Sequence, residues 1–504
     1  MDDTIYIITT APILSDICSV KSKYSNMIYL VALLLFALFV LSVMTKWVKN
    51  MYHLRNFRGP MPLPVVGNMN NVGALSILKN FLDLRRQYGP FYTFFALSRP
   101  YLVVCEPTAV RNILTDHKSF PKGDAYTSGF AYIFGQGLVT SVSEKHKADR
   151  SRFSKYFVAT NVQLYLNMIH NKTIEALQEL EEAHPAKFFT YDMEHFFAPL
   201  TMRIFSTFCT GSDLYEGRRE EEKRVCKIVS DGSYFVAVVM FLSLPQWKGV
   251  FPWTKALDKI LDTLRPEIMN IVDSKRMALK NGTCDTPDDC VSQMIQDDLS
   301  EKEIFEHMVT LLCAGHDTTA FFSSYMSYAL AQNPIVQQRA YEEIQRVMGD
   351  RTEVTADDIK DMVYLRKVML ETMRMYAIIP FLVRYAEEDF VMKELKVTIP
   401  KGTNIMIPMS VVNRDPESWP NPSEFDPERF EGSEKSVAKK GFFPFGYGSR
   451  VCIGNSLAQM ESAVFMCHLL RKYKLSADPT FRLKINAGIS LTSTNGIRLA
   501  LSQR

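Results

Sequence analysis

The sequence has no pair of cysteines spaced Cys-x-x-Cys, the arrangement that structural zinc sites favour. Its nine cysteines are scattered, at 18, 105, 209, 226, 284, 290, 313, 452 and 467. An odd count leaves no complete set of intrachain disulfides, and the pattern fits a reducing, cytosol-facing compartment. The glycosylation triplets that begin at Asn171 and Asn281 would go unused there. An excess of charge is missing too: 58 basic against 55 acidic residues leave +3, too little to argue for nucleic acid as a partner. No internal repeat or low-complexity tract is evident, which excludes solenoids and fibrous chains. No glycine loop opens a strand-to-helix unit in the way that nucleotide binding requires.

What is present is bulk. The chain has 504 residues, 47% hydrophobic and 12% aromatic, enough to bury a large core. One strongly apolar run lacks charge over 18 residues, Met27 to Met44. As a helix it is near the lower limit for crossing a bilayer. Lys46, Lys49, Arg55 and Arg58 follow it, against Lys21 and Lys23 before it, and this bias places the C-terminal side in the cytosol. A cleaved leader is the competing reading. It is disfavoured by the mixed-polarity stretch 1–26 ahead of the run and by the lack of a small-residue cleavage site. The division expected is a lumenal segment 1–26, an anchor 27–44, a basic and proline-rich hinge 45–68, and a body from 69 to 504. Pro60, Pro62 and Pro64 stiffen that hinge.

The body reads as mainly α with small β-sheets (α+β). Strands are expected at Phe91–Ala96 and Tyr101–Cys105, with a further β region at 393–407. Stretches 211–223 and 280–289 read as surface loops. Ser300 and Glu303 have capping-box spacing, and the helix they open can run to Gln332, before Asn333-Pro334.

The densest chemistry lies near the C-terminus, in Phe445-Gly446-Tyr447-Gly448-Ser449-Arg450-Val451-Cys452-Ile453-Gly454. Gly448 and Gly454 let backbone N–H groups come close to the Cys452 sulfur. A helical pattern follows, so Cys452 would sit at a helix N-terminus, which favours an anion. Phe445 can cover the sulfur, and Arg450 can reach an acidic group of a bound ligand. Phe-x-x-Gly-x-Arg-x-Cys-x-Gly fixes five positions, a match expected by chance roughly once in a million starts. On this pattern the chain resembles the cytochrome P450 family. The resemblance implies the cytochrome P450 fold and haem b held by the Cys452 thiolate. Residues 69–504 are then the haem-thiolate catalytic domain. Such a thiolate pushes electron density onto iron and favours O–O cleavage.

Other residues take roles from the same resemblance. Ala314-Gly315-His316-Asp317-Thr318-Thr319 is similar to the family's oxygen-activation motif, with Thr318 as the hydroxyl and Asp317 as the acid that together deliver protons. Gly315, costing a helix roughly 1 kcal/mol, would let a flat haem press against the helix. A hydroxyl or water inserted into the ladder there would kink it. His316 occupies the family's variable position and reads as packing. Glu371, Arg374 and Arg429 match the family's glutamate–arginine–arginine scaffold. Arg384 and Arg150 match its propionate arginines. His146 stands where the family has tryptophan; its N–H could still donate to a propionate.

The activity implied is a monooxygenase acting on a lipophilic substrate: a sterol, fatty acid, carotenoid or xenobiotic. Its electrons would come from an NADPH-dependent reductase, with cytochrome b5 as a further partner, at the endoplasmic reticulum membrane. A haem-thiolate isomerase or dehydratase working without O2 is the alternative, and a haem sensor a third class. Both are disfavoured by the intact Asp317-Thr318 pair.

Overall fold

The computed structural model describes residues 11–69, 77–242, 248–286, 289–432 and 434–504. The start of the expected lumenal segment, 1–10, lies outside the described residues.

The first element is a 43-residue helix, α1 (Ala11–His53). It extends beyond both ends of the 27–44 run because no glycine interrupts it and its one proline, Pro12, lies in the first turn, where proline is tolerated. A 21-residue stretch, Leu33–His53, is long and apolar enough to cross a membrane, and none of it is buried against the body. The start of the expected hinge, with Lys46 and Lys49, is therefore helical, and irregular chain, with Arg55 and Arg58, begins only at Leu54. The last turn of α1 docks on the body. Asn50 donates to the Ser98 carbonyl at 2.9 Å, and His53 Nε2 lies 3.1 Å from Thr403 Oγ1.

The docking partner is a four-stranded sheet made of β1 (Phe91–Ala96), β2 (Arg99–Val104), β3 (Phe381–Tyr385) and β4 (Asn404–Pro408). Its order is β1-β2-β4-β3, with β2 and β4 parallel and the other pairs antiparallel. The β1–β2 hairpin closes through Leu97, at φ 53°, and Ser98, so its second strand starts two residues earlier than expected. Of the expected β region at 393–407, only Val397–Ile399 and the start of β4 are strand.

Most of the rest is helix, with one three-stranded and two two-stranded sheets besides among the described residues. The helices that build the site are α2 (Ser143–Phe157), α3 (Met193–Thr210), α4 (Arg219–Leu242), α5 (Glu301–Gln332), α6 (Val363–Met375) and α7 (Asn455–Lys472). α4 begins inside the stretch expected to be loop. Glu220, Glu221 and Glu222 fill its first turn, where carboxylates meet the positive end of the helix dipole. α5 starts at its capping box, Ser300 accepting from the Glu303 N–H and Glu303 from the Ser300 N–H, and runs unbroken for 32 residues. It is buried along most of its length because α3 and α7 pack against it; Ser323 of α5 meets Ser462 of α7 at 3.3 Å.

Gly315 shows how closely these helices approach. A Cβ there would lie 2.1 Å from the Phe205 ring of α3. The neighbouring helix thus gives the glycine a reason of its own, while Gly315 also lines the cavity described below. Overpacking of this kind costs about 1–3 kcal/mol.

Candidate active site

α5, α7, the loop before α7, β3 and α4 enclose one largely apolar cavity of about 380 Å³. Cys452 reaches it from the 445–454 loop, two residues before the α7 N-cap Gly454. The Cys452 N–H donates to the Phe445 carbonyl at 2.7 Å, pinching the loop shut. Phe445 itself lines the cavity beside the sulfur. Gly448 is fixed by geometry: its φ is +73°, and a Cβ would press to 2.6 Å of the Leu114 carbonyl oxygen. Gly454 is not under such pressure, since a Cβ there would stand 3.9 Å from the sulfur. Its contribution is a backbone N–H aimed at Cys452. Burial pushes the Cys452 thiol up, while that N–H and Arg150 pull it down. The thiol's exposed surface faces the cavity; elsewhere protein surrounds it. A metal ion placed there would deprotonate it.

Across the cavity, α5 contributes Gly315, Asp317 and Thr318. The Thr318 hydroxyl donates to the Ala314 carbonyl at 2.7 Å, one turn back, and leaves the helix continuous. His316 turns away from the cavity and is fully buried.

The expected propionate residues gather on one side. Arg384, on β3, and Arg450 both line the cavity. Arg384 donates to the Val383 carbonyl at 2.8 Å and Arg450 to the Ser141 carbonyl at 2.9 Å. Arg150, on α2, donates to the Val451 carbonyl at 2.6 Å and so braces the cysteine loop rather than lining the cavity. Among the described residues none of these three arginines has a carboxylate partner. Burial lowers the affinity of each for its proton, and Arg450 falls to about 10, with burial the larger cause and Arg384 the next. His146 is buried nearby on α2; burial, Arg450, Lys122 and Arg150 lower it to about 4, so it is neutral near pH 7.

Two residues of the cavity were not expected. Lys122 donates to the Val139 carbonyl at 2.6 Å and lies over the Tyr126 ring; burial, Arg384 and Arg450 push its ammonium well below the usual range. A single lysine in a loop carries no local signal. Glu461, on α7, is pushed up to about 8 by burial, and its Oε1 has no hydrogen-bond partner. It is the one acid on α7, which is the trace it leaves in the sequence.

The scaffold residues lie apart from the cavity. Glu371 and Arg374, both fully buried on α6, pair at 2.6 and 2.8 Å. Arg374 also donates to the carbonyls of Asn413, Pro422 and Glu424. Arg429 is a looser member: its Nε stands 3.4 Å from Glu371 without a hydrogen bond, and its Nη atoms bind the carbonyls of Pro420 and Asn421.

A thiol on one wall, uncompensated guanidinium groups at one side and an apolar interior suit a flat, apolar macrocycle with acidic substituents and a thiol-seeking metal. The donor set thus fits an iron porphyrin. A sequence model of the family described as Cytochrome P450 matches residues 57–498. Over 91% of its length the chain is 28% identical to a Caenorhabditis elegans protein named as a cytochrome P450, CYP13A3, covering 96% of that protein. It is 25% identical to cytochrome P450 4d2 of Drosophila melanogaster, with 88% and 93% of the two chains covered. Identity to the cyclooctat-9-en-7-ol 5-monooxygenase of Streptomyces melanosporofaciens is 27%, with 76% and 81% covered.

Proposed function

This chain belongs to the cytochrome P450 family of haem-thiolate oxygenases, and on that premise we propose that Cys452 is the thiolate ligand, Thr318 and Asp317 the proton relay, and Arg384 and Arg450 the propionate partners, with Arg150 bracing the cysteine loop. The haem supplies the iron at which dioxygen is activated with two electrons and two protons, one oxygen atom entering the substrate and the other leaving as water.

The chain's residues do the rest. Arg384 and Arg450, which lack carboxylate partners, bind the anionic edge. Arg150 holds the loop carrying the ligand, and His146, neutral, offers one N–H. The Thr318 hydroxyl, released from the Ala314 carbonyl, orients a water toward the reacting oxygen, and Asp317 passes protons to it. Glu371, Arg374 and Arg429 hold the segment between α6 and the cysteine loop. Phe130, Phe134, Phe205, Val229 and Phe322 exclude water and favour a lipophilic substrate, in the range of sterol, fatty acid, carotenoid or xenobiotic. Electrons come from an NADPH-dependent reductase, with cytochrome b5 as a second donor, and α1 anchors the protein in the endoplasmic reticulum membrane with the body cytosolic.

The observation that carries this reading is the convergence of Cys452, Asp317, Thr318 and two carboxylate-free arginines on one cavity. The first test is Cys452→Ala. Loss of haem, or a reduced carbon monoxide band shifted away from the thiolate position, is expected; an unshifted band sinks the assignment. In Thr318→Ala the haem is retained and the peroxide yield per NADPH rises, and unchanged coupling argues against the relay.

A further inference from the structure

Resting on the reading of Asp317 as the acid of the relay, we propose that His316 is its positioning residue: a buried imidazole that backs the Asp317 carboxylate and keeps it turned toward the cavity. His316 has no exposed surface, and its Nδ1 lies 2.9 Å from Asp317 Oδ1. Asp317 lines the cavity and His316 does not, so the imidazole backs the acid from the protein side. Neither ring nitrogen makes a hydrogen bond of good geometry. The contact is therefore one of charge rather than of directed bonding, and it depends on the imidazole being protonated.

The groups facing His316 favour that state. On α5 the neighbour is Asp317; on α4 it is Cys226; α3 presents the uncharged Phe205 at the adjacent Gly315 and, toward Asp317, Glu194, which burial, Asp192 and Asp317 push up to about 7. Burial alone would lower the imidazole, but Cys226 and Asp317 outweigh it and push the group up to about 10. A group raised in this way keeps its proton throughout the neutral range and loses it only as pH climbs toward that value. A buried charge survives only beside its counter-charge, and for His316 the Asp317 carboxylate is one such neighbour. In the relay, Asp317 takes up one proton from the water side and releases one to cavity water, ending ionised, while His316 retains its own. Cys226 stands one turn before Val229, which lines the cavity.

The test uses the full-length haem-loaded protein, reduced and carbon monoxide-bound so that it is diamagnetic, with 13C-labelled histidine. The His316 resonance is assigned by its loss in His316→Gln. It should remain that of an imidazolium from about pH 6 to about 8.5, and in Asp317→Asn it should titrate to the neutral form within that range. A neutral imidazole at pH 7 in the unaltered protein, or a titration that Asp317→Asn leaves unmoved, overturns the proposal. Substrate-free turnover with NADPH and a reductase partitions electrons between peroxide and water. His316→Gln should shift the pH dependence of that partition by about one unit, and His316→Lys, which restores a cation, should move it back. A lysine variant that behaves like the glutamine variant counts against the proposal. Should Asp317→Asn leave the partition unchanged while the resonance behaves as expected, the relay itself fails, and the positioning role fails with it.

Discussion

Two sets of buried arginines in this molecule have opposite surroundings. Arg374 is enclosed by the Glu371 carboxylate and three carbonyls. Arg384 and Arg450 are also removed from bulk water, but their hydrogen bonds go to carbonyl oxygens alone. The first set is electrically complete once the chain folds. The second becomes complete only when an anion arrives from outside. Burial depresses both cavity arginines for this reason, and the difference separates a residue that holds the fold from one that awaits a ligand.

The contrast is most sharply tested at the complete pair. Glu371→Ala leaves Arg374 buried without its counter-charge, and about 3–5 kcal/mol of stability should be lost, with little folded protein recovered; denaturant unfolding measures it. Arg384→Met is the opposite case. Removing an uncompensated cation should raise the stability of the haem-free protein by about 1–2 kcal/mol, while haem retention, followed by transfer to apomyoglobin, weakens about tenfold. If both quantities fall, the distinction between the two sets collapses. A third kind of test lies at Glu461, which avoids the problem by staying neutral. Its folded value, about 8, lies above the ordinary 4.5, so the folded chain keeps a proton that the unfolded chain releases. Its contribution is present at low pH and is lost as pH rises from 4.5 toward 8. Glu461→Gln should flatten that decline in thermal unfolding across a pH series.

The parts legible in the sequence were those specified locally. The capping box at Ser300 and the Asn333-Pro334 stop set α5 to the residue, because both signals act within one turn. The cysteine loop was legible because its glycines, aromatic and arginine are close along the chain. Parts that depend on distant segments were not. Phe205, one reason for Gly315, lies on another helix. Arg150 was expected at a propionate, and its bond to Val451 emerges only when α2 meets the loop. Lys122 joins the arginines through folding alone. Glu371 and Arg374 share their spacing with several exposed pairs, so burial, not spacing, separates them.

The docked end of α1 has a geometric consequence. Thr403, which His53 touches, leads directly into β4, where Ile405 is paired across the ladder with Arg384. The end of the 43-residue rod is thus seated two residues along the chain from Ile405, the position that faces a cavity arginine across the ladder. The anchor and the pocket meet on neighbouring strands of one sheet.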